Sequence, residues 1–169
     1  MISRGIAAAA LSAVLATSHA LAEDKENESL GELELGAVGD WGMPAGASAF
    51  GPSAAIEFNA IKDRLEIEAG LSPLFSHGQT EWSTDLIFKT PIYSFEDVEV
   101  TFGAGPEWLH NTGGGQTTDA LAGELQLDFQ FWRPDRKYGL FVEPSYDYSF
   151  ANGHEQSLGV TIGLLIAFQ

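Results

Sequence analysis

The sequence predicts an all-β fold, an eight-stranded antiparallel up-and-down transmembrane β-barrel. Three observations carry that reading. Apolar and polar residues alternate with a period of two over eight successive stretches between Leu30 and Phe168. The links between the stretches also alternate, the odd ones mostly longer, Gly-rich and uncharged, the even ones short and charged. Finally, aromatic residues of the apolar parity collect toward the stretch ends. Side chains on a strand point alternately to opposite faces, so each stretch has one apolar and one polar face.

The 169 residues suffice for one domain. Residues 1–22 stand apart. Arg4 begins them, an Ala- and Leu-rich run follows from Ile6 to Ala16, and Ala20-Leu21-Ala22 offers a cleavage site before Glu23. This is the pattern of a secretory signal peptide, whose apolar run is too short to span as a helix. Residues 23–29 are a polar periplasmic leader, and residues 30–169 form the barrel. The formal net charge is −16, and cysteine is absent. Such an acidic balance excludes nucleic acid as a partner, since that partner needs a basic footprint. With 19 Gly, 11 Phe and 4 Trp, the composition favours strands joined by tight turns.

The first strand is expected from Leu30 to Trp41, with Leu33, Leu35, Ala37 and Trp41 on its apolar face. A link over Gly42 to Gly51, with Pro44 inside it, leads to the second, Pro52 to Ile61. Lys62-Asp63-Arg64 turns the chain into the third, Leu65 to Phe75. After Ser76 to Gln79 the fourth runs from Thr80 to Tyr93, and the fifth from Val98 to Leu109. His110 to Asp119, centred on three consecutive glycines, is expected as a link. The sixth strand covers Ala120 to Trp132, the seventh Tyr138 to Phe150 and the last Ser157 to Gln169. In the last, Leu158, Val160, Ile162, Leu164, Ile166 and Phe168 form a large apolar face opposite small residues. About 9–11 tilted residues cross a bilayer as a strand, so each stretch is long enough. Leu164→Arg should therefore oppose insertion, whereas Gly163→Ser, on the lumen parity, should be tolerated.

Alternation alone leaves two barrels open. A soluble barrel turns its apolar parity inward. The signal peptide, the link asymmetry and the two aromatic sets favour the membrane form, in which girdles of aromatics mark both interfaces. Trp41, Phe75, Trp82, Trp108, Tyr148 and Phe150 make one set, and Phe129, Phe131 and Phe168 the other.

From Leu30 to Phe168 the chain resembles the small eight-stranded outer-membrane barrels of Gram-negative bacteria, the OmpA-, OmpX- and opacity-like group. The resemblance rests on the strand pattern and on a final strand with an aromatic near its end, here Phe168 before Gln169. It implies insertion into outer-membrane lipid, with the C-terminal strand read by the barrel assembly machinery, and an envelope protein that is a monomer. That group shares no catalytic motif, so it supplies no functional residue.

The polar parity is acidic: Glu32, Glu34, Asp40, Glu57, Glu66, Glu68, Glu81, Asp85, Glu99, Glu107, Glu124, Asp128, Glu143 and Asp147. Lys89 is its one clear base, and hairpin pairing brings it near Glu66 and Glu68. The implied interior is either a solvated, hydrogen-bonded lumen or one that attracts cations. Eight strands leave an interior that side chains nearly fill, so an open pore is not expected. A basic collar of Lys62, Arg64, Arg133, Arg136 and Lys137 lies at the short-turn end, either to pair with lumen acids from below or with lipid phosphates, or simply to keep the turns soluble. The expected role is structural, or interaction with cations or small solutes, without a cofactor. A lipid-modifying enzyme and a surface adhesin are the alternatives. Catalysis needs a nucleophile and base within hydrogen-bond reach, and His154 and Ser157, three apart, should not share a face. Three histidines, His77, His110 and His154, fall in different odd links around one mouth. They are either three unrelated loop histidines or, with nearby Glu81, Glu107 and Glu155, a candidate zinc or copper site whose affinity would fall as imidazole protonates below pH ~6.5.

Overall fold

The computed structural model describes residues 30–43, 46–151 and 153–168. The signal peptide, the leader, Pro44 and Gln169 lie outside the described residues. Eight strands follow one another: β1 (Gly31–Met43), β2 (Ser48–Ile61), β3 (Leu65–Ser76), β4 (Gln79–Phe95), β5 (Val98–Gly113), β6 (Gln116–Trp132), β7 (Tyr138–Ser149) and β8 (Gln156–Phe168). Each pairs antiparallel with its neighbours, and β8 pairs with β1 to close the barrel. Closure satisfies every edge, as a bilayer requires of any strand that crosses it. We call the end carrying the β1–β2, β3–β4, β5–β6 and β7–β8 turns the upper mouth, and the opposite end the lower mouth.

The apolar parity faces outward. Leu35, Trp41, Leu71, Trp82, Phe88, Trp108, Leu125, Leu140, Ile162 and Leu164 are all exposed, while Glu34, Glu57, Glu68, Lys89, Asp128 and Glu143 are buried. A soluble barrel has the reverse arrangement, so the ambiguity left by the alternation is removed. Near the upper mouth Trp41 packs edge-on against Phe50 at 5.9 Å and Tyr148 against Phe150 at 5.6 Å. Near the lower, Phe58 meets Phe168 at 5.8 Å.

Three expectations are corrected. First, the β1–β2 and β5–β6 links are much shorter than expected, so the odd links are not consistently the longer ones. Residues 48–51 and 110–113 continue strands β2 and β5, and residues 116–119 begin β6. Only Gly114 and Gly115 form the β5–β6 turn, with φ of 58° and 78°. Two positive φ values are what a tight two-residue hairpin turn demands, and glycine accepts both. The polar stretch around them reads as loop by composition, yet its Asn and Thr residues keep the backbone ladder. Strands β4, β5 and β6 thereby reach 17, 16 and 17 residues.

Second, the lumen is not polar throughout. Trp132, Phe141 and Leu165 pack together as a buried apolar cluster joined by Ala167. Ile87 is also fully buried. Third, Gly163 has no room for a side chain. A Cβ there would lie 2.4 Å from the Leu35 carbonyl oxygen and 2.5 Å from the Phe141 ring. We therefore expect Gly163→Ser to destabilise the barrel by about 1–3 kcal/mol through overpacking. The urea midpoint of the refolded chain measures this, and an unchanged midpoint would contradict the close approach.

Pro91 has no N–H for the ladder. The β4–β5 register shifts just after it, between Pro91 and Tyr93. The bulge breaks the alternation, so Ile92 and Tyr93 are both exposed at the lower rim.

Candidate functional site

The lumen is organised around Lys89. Hairpin pairing sets it opposite Glu66 on β3 and Gly103 on β5. Gly103 is needed there: a Cβ would lie 2.7 Å from Ile87, 2.8 Å from Gln126 and 3.2 Å from Lys89 itself. The Lys89 ammonium, wholly buried, meets carboxylates from five strands. Glu34 of β1 lies at 3.5 Å, Glu57 of β2 at 3.1 Å, Asp128 of β6 at 3.3 Å and Glu143 of β7 at 3.4 Å. Glu68 of β3 also pairs with it. An ammonium has only three donors. Amides supply more: Gln126 Nε2 donates to Glu143 Oε2 at 2.7 Å and Gln130 Nε2 to Asp128 Oδ2 at 2.8 Å. Trp132 Nε1 donates to Gln130 Oε1 at 3.0 Å, tying the ionic layer to the apolar cluster.

Above this layer the acids continue, with no base beside them among the described residues. Ser83 Oγ donates to Glu107 Oε1 at 2.6 Å, and Ser157 Oγ to Asp147 Oδ2 at 3.1 Å. A cavity of about 60 Å³ lies among Glu68, Asp85, Glu107, Glu124, Glu143 and Asp147. At the upper rim Asn111 Nδ2 donates to Glu81. At the lower mouth Arg136 Nη1 lies 3.5 Å from Glu99, and Nη2 donates to the Glu96 carbonyl at 2.8 Å. One member of the basic collar thus takes a lumen acid as its partner.

The histidines are distributed around the upper mouth. His77 is exposed in the β3–β4 turn. His110 is in β5, not in a link. It faces Asp119 of β6, with Nδ1 2.7 Å from Oδ1, and its ring lies 5.7 Å from Trp108 on the outward parity. His154 stacks on Tyr148 at 5.7 Å. Among the described residues, the groups of three close ligand atoms consist of carboxylates and include no histidine. Ser157 points the other way from His154, to Asp147 in the lumen.

Lys89 and its acids were legible as one face of alternating strands. Trp132, Phe141 and Leu165 were not singled out as a plug, though each is a large apolar residue on the otherwise polar parity. That break in the pattern is the signal that could have found them.

Solved structures share the barrel fold. The neisserial surface protein NspA superposes with a TM-score of 0.68 at 14% identity, over 85% of this chain and 100% of that one. The fold is that of the small outer-membrane barrels. The N-terminal barrel domain of Pseudomonas aeruginosa OprF follows with a TM-score of 0.56 at 14% identity, over 82% and 100% of the two chains. Ail, the attachment invasion locus protein of Yersinia pestis, gives 0.53 at 13% identity, over 84% and 100%. No family model and no curated protein matches the sequence. The outer-membrane barrel fold is thus shared in shape with little shared sequence, because any alternation of outward apolar and inward polar residues satisfies it.

Proposed function

We propose that the chain is an outer-membrane protein of the Gram-negative envelope whose sealed acidic lumen serves structure and cation interaction, not solute passage. The observation that carries this reading is the cross-lumen cluster of Lys89 with Glu34, Glu57, Glu68, Asp128 and Glu143, backed by Trp132, Phe141 and Leu165. An ionic layer drawn from β1, β2, β3, β4, β6 and β7, with an apolar cluster of β6, β7 and β8 below it, supports a closed interior. The exposed apolar belt fits the hydrocarbon of the outer membrane, and β8 ending in Phe168 fits the strand the assembly machinery reads. A monomer is sufficient, since the barrel has no open edge.

Catalysis is not part of this reading, because His154 lies against Tyr148 while Ser157 bonds Asp147. An adhesive role has less support. Ail has been solved in complex with the heparin analogue sucrose octasulfate. The upper mouth here carries Asp40, Glu81, Asp119 and Glu155, which repel a polyanion. Purified protein reconstituted in planar bilayers tests the proposal. No steady unitary conductance is expected. Stable open channels would refute the sealed lumen.

A further inference from the structure

Resting on the cation-interacting reading above, we infer that Glu107, Glu124 and Asp147, assisted by Asp85, form a calcium site in the upper lumen. Three groups of close carboxylate oxygens occur among the described residues. Two of them, Glu34–Glu57–Asp128 and Glu34–Glu68–Glu143, surround Lys89 and share its single positive charge. The third is Glu107–Glu124–Asp147, whose ligand oxygens all lie within 4.8 Å of one another. Lys89 is within ion-pair distance of none of its members.

The register makes the lack of a base acute. Asp85 stands directly across from Glu107 in the β4–β5 pair, and Glu124 directly across from Asp147 in the β6–β7 pair. Like charges directly opposite one another destabilise a sheet. Two such pairs face one cavity, and a cation between them turns the repulsion into attraction.

A second observation points to a ligand. Glu107 is only 7% exposed. Its Oε1 takes the Ser83 hydroxyl, while its fully buried Oε2 has no hydrogen-bond partner. Asp147 repeats the pattern: Oδ2 takes Ser157, and Oδ1 is buried without a partner. Asp85 Oδ1 is likewise unpartnered. Each hydroxyl thus holds one oxygen of a carboxylate and leaves the other beside the cavity that Glu107, Glu124 and Asp147 line. Buried polar atoms rarely stay unpaired, and a cation would satisfy all of these.

The donors are all oxygen, which selects a hard cation over zinc or copper. Calcium takes six to eight oxygens at 2.3–2.6 Å in irregular geometry, whereas magnesium demands a near-ideal octahedron. Carboxylates from four strands make an irregular cage. The cavity of about 60 Å³ has space for waters to complete the shell.

The test uses the whole barrel, refolded in detergent free of lipopolysaccharide, freed of metal with chelator and titrated with calcium chloride by calorimetry. One saturable site is expected, together with a calcium-dependent rise in the unfolding temperature. Glu107→Gln and Asp147→Asn should each weaken binding at least tenfold, while Glu32→Gln, near the lower mouth, should leave it intact. The heat-dependent gel shift checks that each variant folds, and Glu124→Gln replaces any that does not. Absence of saturable binding, or equal affinity in the Glu107 and Asp147 variants, overturns the site. Equal affinity for magnesium overturns the calcium assignment. Open channels in bilayers with calcium binding retained would sink the sealed-lumen reading alone. A silent barrel that binds no calcium would sink only this one.

Discussion

Lys89→Met should unfold at a much lower urea concentration than the parent chain, with a loss of about 3–5 kcal/mol, the usual cost of removing one partner from a buried ionic group. Methionine is unbranched and only one heavy atom shorter than lysine, so most of the loss comes from charge and little from a cavity. It leaves Glu34, Glu57, Glu68, Asp128 and Glu143 facing one another without a base. A buried ion pair is not by itself evidence of stability, because desolvation offsets much of the attraction. The asymmetry lies in the broken state. Adding Glu68→Gln to Lys89→Met should therefore recover part of the loss, and the double-mutant cycle reads the coupling directly. A Lys89→Met barrel with the parent's midpoint would show that the layer is not held by its one base.

The second large effect separates the two faces of a single strand. Ile162 sits at the centre of β8 opposite Ala37 at the centre of β1, and 58% of it is exposed. Ile162→Lys places an ammonium near the bilayer midplane, at a cost of about 2–4 kcal/mol. Thr161, one residue earlier, lines the acidic cavity opposite Glu143. Thr161→Lys puts the same ammonium among carboxylates and should fold with little loss. Insertion into lipid vesicles, followed by the gel shift between heated and unheated samples, reads both. If the Thr161 variant failed and the Ile162 variant inserted normally, the outward assignment of the apolar face would be untenable. Neighbouring positions with identical chemistry make general effects of lysine on expression or solubility cancel.

Alternation along the chain was enough for strand number, strand order and the acidic parity, because period two is a local property that survives whatever the strand pairs with. Adjacent hairpin pairing was also legible, which is why Lys89 could be set near Glu66 and Glu68 from sequence alone. The expected links misled in one respect. Asn-Thr-Gly-Gly-Gly reads as loop by composition, but paired backbones let β5 and β6 continue to Gly113 and from Gln116, and His110 became a strand residue bonded to Asp119. The signal peptide, outside the described residues, stays an inference from residues 1–22.

The outward sense of the apolar face was favoured in the sequence by the signal pattern, the links and the aromatic sets, whereas everything that crosses the lumen was decided only by tertiary structure. Glu34, Asp128 and Glu143 lie 55, 39 and 54 positions from Lys89 in sequence, and no hairpin joins them to β4. They meet because closing eight tilted strands makes opposite walls near neighbours, a distance set by barrel radius and stagger and not by any local pattern. The same closure pushes Leu35 and Phe141 against Gly163, turning a position that looked permissive into a tight one. It also brings two like-charged cross-strand pairs to one cavity, so the sequence by itself determined an acidic face, and only the closed barrel divided that face into acids that share Lys89 and acids that have no base.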